Sequence, residues 1–160
     1  MKPTWKKGQR FERVGEISVS ASADEVFPLL CPVREYEWIP DWRCTMVHSR
    51  SGVAEENAVF ITPQKFHRKA LWTLITFQPP GLVEYLLVIG TAAAMRLTIS
   101  LRERDGVTHL TWRFLFTAIS ALARRALPAD FTEEKFSRML ATRERQLRGY
   151  FSGEGKRRTA

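Results

Sequence analysis

The stretch from Arg96 to Thr117 narrows the folds open to this chain more than any other. Leu97, Ile99 and Leu101, then Leu110, Trp112, Phe114 and Phe116, alternate with Arg96, Thr98, Ser100, Arg102, Thr111, Arg113 and Thr117. Side chains of a strand point to opposite faces in turn, so both halves are strands with one oily and one wet face. Asp105-Gly106 between them suits the positive dihedrals of a tight hairpin turn. A sheet of this kind is stable only when something covers its oily side.

The cover is predicted at the C-terminus. Phe136, Leu140, Leu147 and Tyr150 recur at helical spacing, with Met139 and Phe151 widening the stripe, which predicts a long amphipathic helix ending near Phe151. Asp130 is its expected cap, and Ala121 to Pro128 reads as a connection. Upstream, alternation and turn signals predict five more strands, over residues 10–20, 42–50, 58–62, 70–77 and 82–89. On the first, Val14 or Gly15 joins Ile17 and Val19 on the apolar face. Pro79-Pro80-Gly81 closes the fourth, and a polar turn falls around Pro63 to Arg68.

Phe27 to Trp42, FPLLCPVREYEWIPDW, is the least regular segment and combines Phe27, Tyr36, Trp38 and Trp42 with Pro28, Pro32 and Pro40. Ser22-Ala23-Asp24-Glu25 before it matches a capping box, so a helix begins at Ala23. Pro32 breaks that helix, and Arg34 to Ile39 reads as a second short one. The predicted fold is α+β: a helix grip, with a curved antiparallel sheet of about seven strands wrapped on a long C-terminal helix and two short helices after the first strand. Residues 10–151 form the expected domain, between basic tails at 1–9 and 152–160.

Composition removes several functions. The chain is 44% hydrophobic and 26% charged, and no apolar run approaches the ~20 residues of a membrane-spanning helix. Met1 to Arg10 is not followed by the apolar core of a secretion signal, and Cys31 and Cys44 lack CxxC spacing, so the expected location is the cytoplasm with reduced thiols. The net charge of +8 is spread along the sequence, with local clusters at Lys2, Lys6, Lys7 and Arg10 and at Lys156, Arg157 and Arg158. That distribution reads as solvating tails, which disfavours nucleic acid and leaves contact with an anionic membrane surface open. GxSxG, GxGxxG and P-loop sequences are absent, and His48, His67 and His109 have no metal-ligand spacing, so neither cofactor nor metal is expected.

The opening ASADEVFPLL, the segments LLCPVREYEWIPDW and HSRSGVAEENAVFIT, and HLTWRFLFTA with the closing helix resemble the Bet v 1-like or START-like (SRPBCC) superfamily, in an uncharacterised bacterial branch. The glycine-rich loop of the plant allergens is missing, since residues 49–57 hold only Gly52. The resemblance implies a cavity between sheet and C-terminal helix for a small hydrophobic or amphipathic molecule such as a lipid, polyketide or aromatic compound. It implies two alternatives as well: an aromatase/cyclase-type enzyme, or an interaction module like the Hsp90-ATPase activators.

Candidate cavity residues are Trp38, Trp42, His48, Trp72, Tyr85, Trp112, Phe114, Met139, Arg143 and Leu147. Aromatic rings offer apolar area with a polar tip, and each of these has core packing as its plain alternative. Glu35 is an acid/base candidate if it faces inward; otherwise Arg34 and the helix end hold it or Glu37 in place. Arg143 interrupts the apolar stripe. It either meets a ligand anion when buried or lays its stem along the core with its head in water. His48 shares a predicted strand face with Cys44 and Met46. The sequence leaves oligomeric state open.

Overall fold

The computed structural model describes residues 7–64 and 69–153. Its strands are β1 (Gln9–Val19), β2 (Thr45–His48), β3 (Val59–Pro63), β4 (Lys69–Gln78), β5 (Leu82–Ile89), β6 (Ala93–Arg104) and β7 (Val107–Ala118). They form one seven-stranded antiparallel sheet in the order β1-β7-β6-β5-β4-β3-β2. The helices are α1 (Ala23–Val26), α2 (Ala121–Asp130) and α3 (Glu133–Phe151). This is the helix-grip architecture expected from the alternating strands and the closing helix. The expected tails lie mostly outside the described residues, as does most of the turn read around Pro63 to Arg68.

The β6–β7 hairpin turns at Asp105 (φ 53°) and Gly106 (φ 74°), whose left-handed backbone matches the sheet's twist. Its register lines the inner face with cross-strand rows. Val83, Ile99, Trp112 and Gly15 form one; Tyr85, Leu97 and Phe114 the next; Leu87, Met95, Phe116 and Phe11 the third. The fourth, Ile89, Ala93 and Ala118, is nearly all small.

Helix α3 runs along β1. Gly15 faces inward while Val14 is exposed, and a Cβ on Gly15 would collide with Leu140. The helix also satisfies part of the free edge of β1. Ser18 donates its backbone N–H to Glu144 Oε1 at 2.9 Å, and Arg148 Nε donates to the Ser18 carbonyl at 3.0 Å. An edge strand whose backbone groups are taken by side chains is a poor template for pairing with another chain.

Prolines shape the segment after α1. The capping box forms, with Ser22 Oγ accepting from the Glu25 N–H at 3.3 Å and Glu25 Oε2 accepting from the Ser22 N–H at 3.0 Å. Only 3-10 turns at Phe27–Leu30 and Glu35–Glu37 follow, so several carbonyls lack helical partners. Ring donors supply them. Trp38 Nε1 donates to the Leu29 carbonyl at 2.7 Å, Trp42 Nε1 to that of Pro32 at 2.8 Å, and the Tyr85 hydroxyl to that of Leu30 at 2.9 Å.

Three local expectations change. The second strand is only Thr45–His48, because Cys44 is bonded to the Tyr36 hydroxyl and a bulge follows Met46. Ala121–Asp130 is a helix, not a connection: Ser120 Oγ accepts from the Ala123 N–H at 3.1 Å and a run of good helix formers follows, with Pro128 tolerated near the end. Thr132, not Asp130, caps α3, accepting from the Lys135 N–H at 3.3 Å.

Candidate functional site

A pocket of about 880 Å³ lies between the sheet, α2 and the first turns of α3. Leu87, Met95, Phe114 and Phe116 form its floor, α2 contributes Leu122, Ala123, Ala126 and Leu127 as a roof, and Phe131 and Met139 close the α3 end. Trp72 and Gln64 stand on the far side. Gln64 and Asp130 are the lining residues with polar side chains besides the Trp72 indole, whose N–H is already donated to Thr62 Oγ1 at 2.8 Å.

The space exists because of what the inner face omits. Along β7 the inward residues run Trp112, Phe114, Phe116, then Ala118; along β6 they run Ile99, Leu97, Met95, then Ala93. Ala93, Ala118 and Ala123 pack as a small cluster of their own that brings α2 to the sheet, with Ala92 and Leu127 beside it. Helix α3 is committed to β1, and α2 meets the sheet through methyl groups. Nothing large fills the interval. A volume of this size falls in the usual range of ligand pockets, about 300–1,000 Å³.

Trp72, Phe114 and Met139, expected at a cavity wall, line this pocket. Tyr85 and Trp112 are buried in the core beside it: the Tyr85 ring meets Trp72 edge-on at 6.2 Å, and Trp112 stacks on Phe114 at 6.2 Å. Trp38 and Trp42 pin the proline segment, and Leu147 is core. His48 is exposed. The bulge places it opposite Val59 while Met46 stays opposite the inward Phe60, so its expected interior position is corrected. The alanines of β6 and α2, and Phe116 and Phe131, were not expected at the site. Runs such as Ala92–Ala94 were the available signal.

A second group gathers at the other end of α3. Arg34 holds Glu37 in a two-pronged pair, Nε to Oε1 at 2.7 Å and Nη2 to Oε2 at 2.9 Å, and the Tyr150 hydroxyl donates to Glu37 Oε2 at 2.8 Å. The Glu35 carboxyl is left without a hydrogen bond to any described residue. Part of its surface stays in solvent, but its carboxyl is deep enough that burial pushes its pKa up to about 8, against the pull of Arg143. Burial lowers the Arg143 pKa, which Glu35 opposes, while the guanidinium donates to Gln146 Oε1 at 2.9 Å. Burial likewise raises Tyr85 and Cys31, both further raised by Glu35. Trp112 Nε1 is buried without a partner among the described residues. The described residues include no group of three His, Cys, Asp or Glu side chains suited to a metal, and no helix long and apolar enough to cross a membrane.

An open antiparallel sheet gripping a long C-terminal helix beside an apolar pocket is a helix-grip fold. Neither a protein-family model nor a curated relative matches the sequence. Among solved structures, the chain is similar to truncated norcoclaurine synthase from Thalictrum flavum, with a TM-score of 0.68 and 12% identity over 93% of this chain and 98% of that one. It is also similar to protein Mll3558 from Rhizobium loti, with a TM-score of 0.59 and 14% identity over 85% and 99%. DynU16, a putative protein of the dynemicin biosynthetic locus, gives 0.59 and 14% identity over 85% of this chain and 46% of its own.

Proposed function

We propose that this chain binds a small hydrophobic or amphipathic molecule in the pocket between the sheet, α2 and the start of α3. The observation carrying this reading is a half-open space of about 880 Å³ whose walls are almost wholly apolar. Burying roughly 300 Å² of apolar guest at ~25 cal/mol per Å² is worth about 7.5 kcal/mol, the main favourable contribution set against the cost of association. Gln64 and Asp130 would orient a polar end. The same fold in norcoclaurine synthase occurs in complex with dopamine and hydroxybenzaldehyde, which favours aromatic guests among those to try first.

The test is titration with the dye 8-anilinonaphthalene-1-sulfonate and its displacement by 1-naphthol and lauric acid. Wild type is expected to bind the dye saturably. Ala126→Trp, which fills the pocket from α2, is expected to weaken it roughly tenfold or more while the circular dichroism spectrum is kept. Equal affinity in the folded variant would remove the pocket as the site.

The cyclase-type reading draws on Glu35, whose carboxyl gains and loses a proton near neutral pH, and on the likeness to DynU16. Glu35 does not line the pocket, so the binding reading takes precedence. Turnover of an aromatic polyketone that survives in Glu35→Gln would exclude Glu35 as its acid or base. An interaction module draws no support from a space this large left unfilled.

A further inference from the structure

Helix α2 is a roof with an unusual outer side. Leu122 is 65% exposed, more than any other large apolar side chain among the described residues, and Ile119 just before the helix is 38% exposed. Arg124 and Arg125 are exposed, and neither guanidinium has a hydrogen-bond or ion-pair partner among the described residues. Arg10 lies at the same end of the sheet, its Nε donating to Thr117 Oγ1 at 3.3 Å. The acid in α2 is Asp130, at the opposite end of the helix. Leu122 both lines the pocket and faces solvent, so it stands at the mouth.

We propose that this edge of the pocket mouth is a docking surface for an anionic lipid bilayer, from which an apolar guest passes into the pocket. Exposed apolar side chains next to arginines without a partner among the described residues match the chemistry of a bilayer interface, where acyl chains adjoin a layer of phosphates. Phosphate groups complement Arg124 and Arg125, which no Asp or Glu side chain among the described residues reaches. Bilayer contact also removes Leu122 from water, which a purely ionic partner would not do. The helix is held to the sheet through Ala123 and Leu127 among small neighbours, so a shift of α2 would disturb few contacts. Entry of a guest by this route rests on the pocket reading above; the docking itself does not.

The experiment is co-sedimentation of the full chain with vesicles of phosphatidylcholine alone and of equal parts phosphatidylcholine and phosphatidylglycerol. Wild type is expected to partition onto the anionic vesicles only. Arg124→Gln with Arg125→Gln is expected to reduce that partitioning roughly twenty-five-fold, about fivefold for each charge near the surface. Leu122→Ser is expected to reduce it roughly tenfold. Dye binding in solution by the arginine pair variant stays at the wild-type level.

Partitioning that ignores the arginine pair overturns the proposal, because basic residues elsewhere would then be the contact. Loss with the arginine pair but none with Leu122→Ser also overturns it, in favour of an ionic site for a polyanion such as RNA. Wild type that fails to sediment yet binds the dye ends the docking proposal and leaves the pocket reading intact. Sedimentation without any dye binding does the reverse.

Discussion

Leu140 of α3 packs directly onto the backbone of Gly15 in β1, in the space where any other residue would carry its Cβ. Phe136 closes the same spot, 3.2 Å from that missing atom. Gly15→Ala is therefore expected to destabilise the fold by about 1–3 kcal/mol, the usual cost of overpacking. Leu140→Ala in the same chain should return part of that loss. Urea unfolding of the two single variants and the double variant measures this, and simple additivity would show that the clash is relieved elsewhere.

Trp38 and Trp112 are both buried, but only Trp38 has its indole N–H paired, with the Leu29 carbonyl. Replacing each with Phe removes the same atoms. Trp38→Phe strands a buried carbonyl and should cost about 1–3 kcal/mol more than Trp112→Phe, which removes a donor that was unpaired already. Thermal or urea unfolding gives the order; the reverse order would mean that Trp112 has a partner in solution.

Glu35 has a native pKa of about 8 against an ordinary value of 4.5. The native state then holds a proton that the unfolded chain has released, so its contribution is full below pH 4.5 and is lost as pH rises toward 8. Glu35→Gln should flatten that fall, with the variant gaining on wild type above neutral pH. Melting temperatures of both proteins across this interval test it, and parallel profiles would place the Glu35 carboxyl in water.

Glu84 behaves in the opposite sense. Burial opposes its charge, yet Arg96 at 2.7 Å, Thr76 at 2.7 Å and Thr98 at 2.8 Å all donate to the carboxylate and hold its pKa below the ordinary 4.5. Stability from this group is present above pH 4.5 and disappears as pH falls through the lower native value. Glu84→Gln is expected to cost about 1.5–3 kcal/mol at neutral pH, the range for hydrogen bonds to a charged group, and progressively less in acid. Denaturant midpoints at neutral and acid pH make the measurement.

The sheet, its hairpin and the closing helix were readable because their periods run long enough to be unambiguous. Trp72, Phe114 and Met139 could be named for the pocket because large side chains on an inward register announce themselves. Helix α2 was not expected, although its run of Ala, Leu and Arg favours a helix, because Pro128 mimics a stop. His48 was misplaced because a single extra residue in β2 reverses every face after it. The separate fates of Glu35 and Glu37, two positions apart in a 3-10 turn, depend on which one Arg34 reaches, and no periodicity records that. The roof and the small end of the pocket were hidden for a plainer reason, since their alanine side chains stop at a methyl group.

Those methyl groups make the dimensions of the chamber adjustable one carbon at a time. Ala126 has no side-chain hydrogen-bonding atoms and lies on the roof, so exchanging it for a longer residue resizes the chamber without cutting a polar link. A change of chamber size by that route leaves β1, α3 and their shared contact at Gly15 as they are.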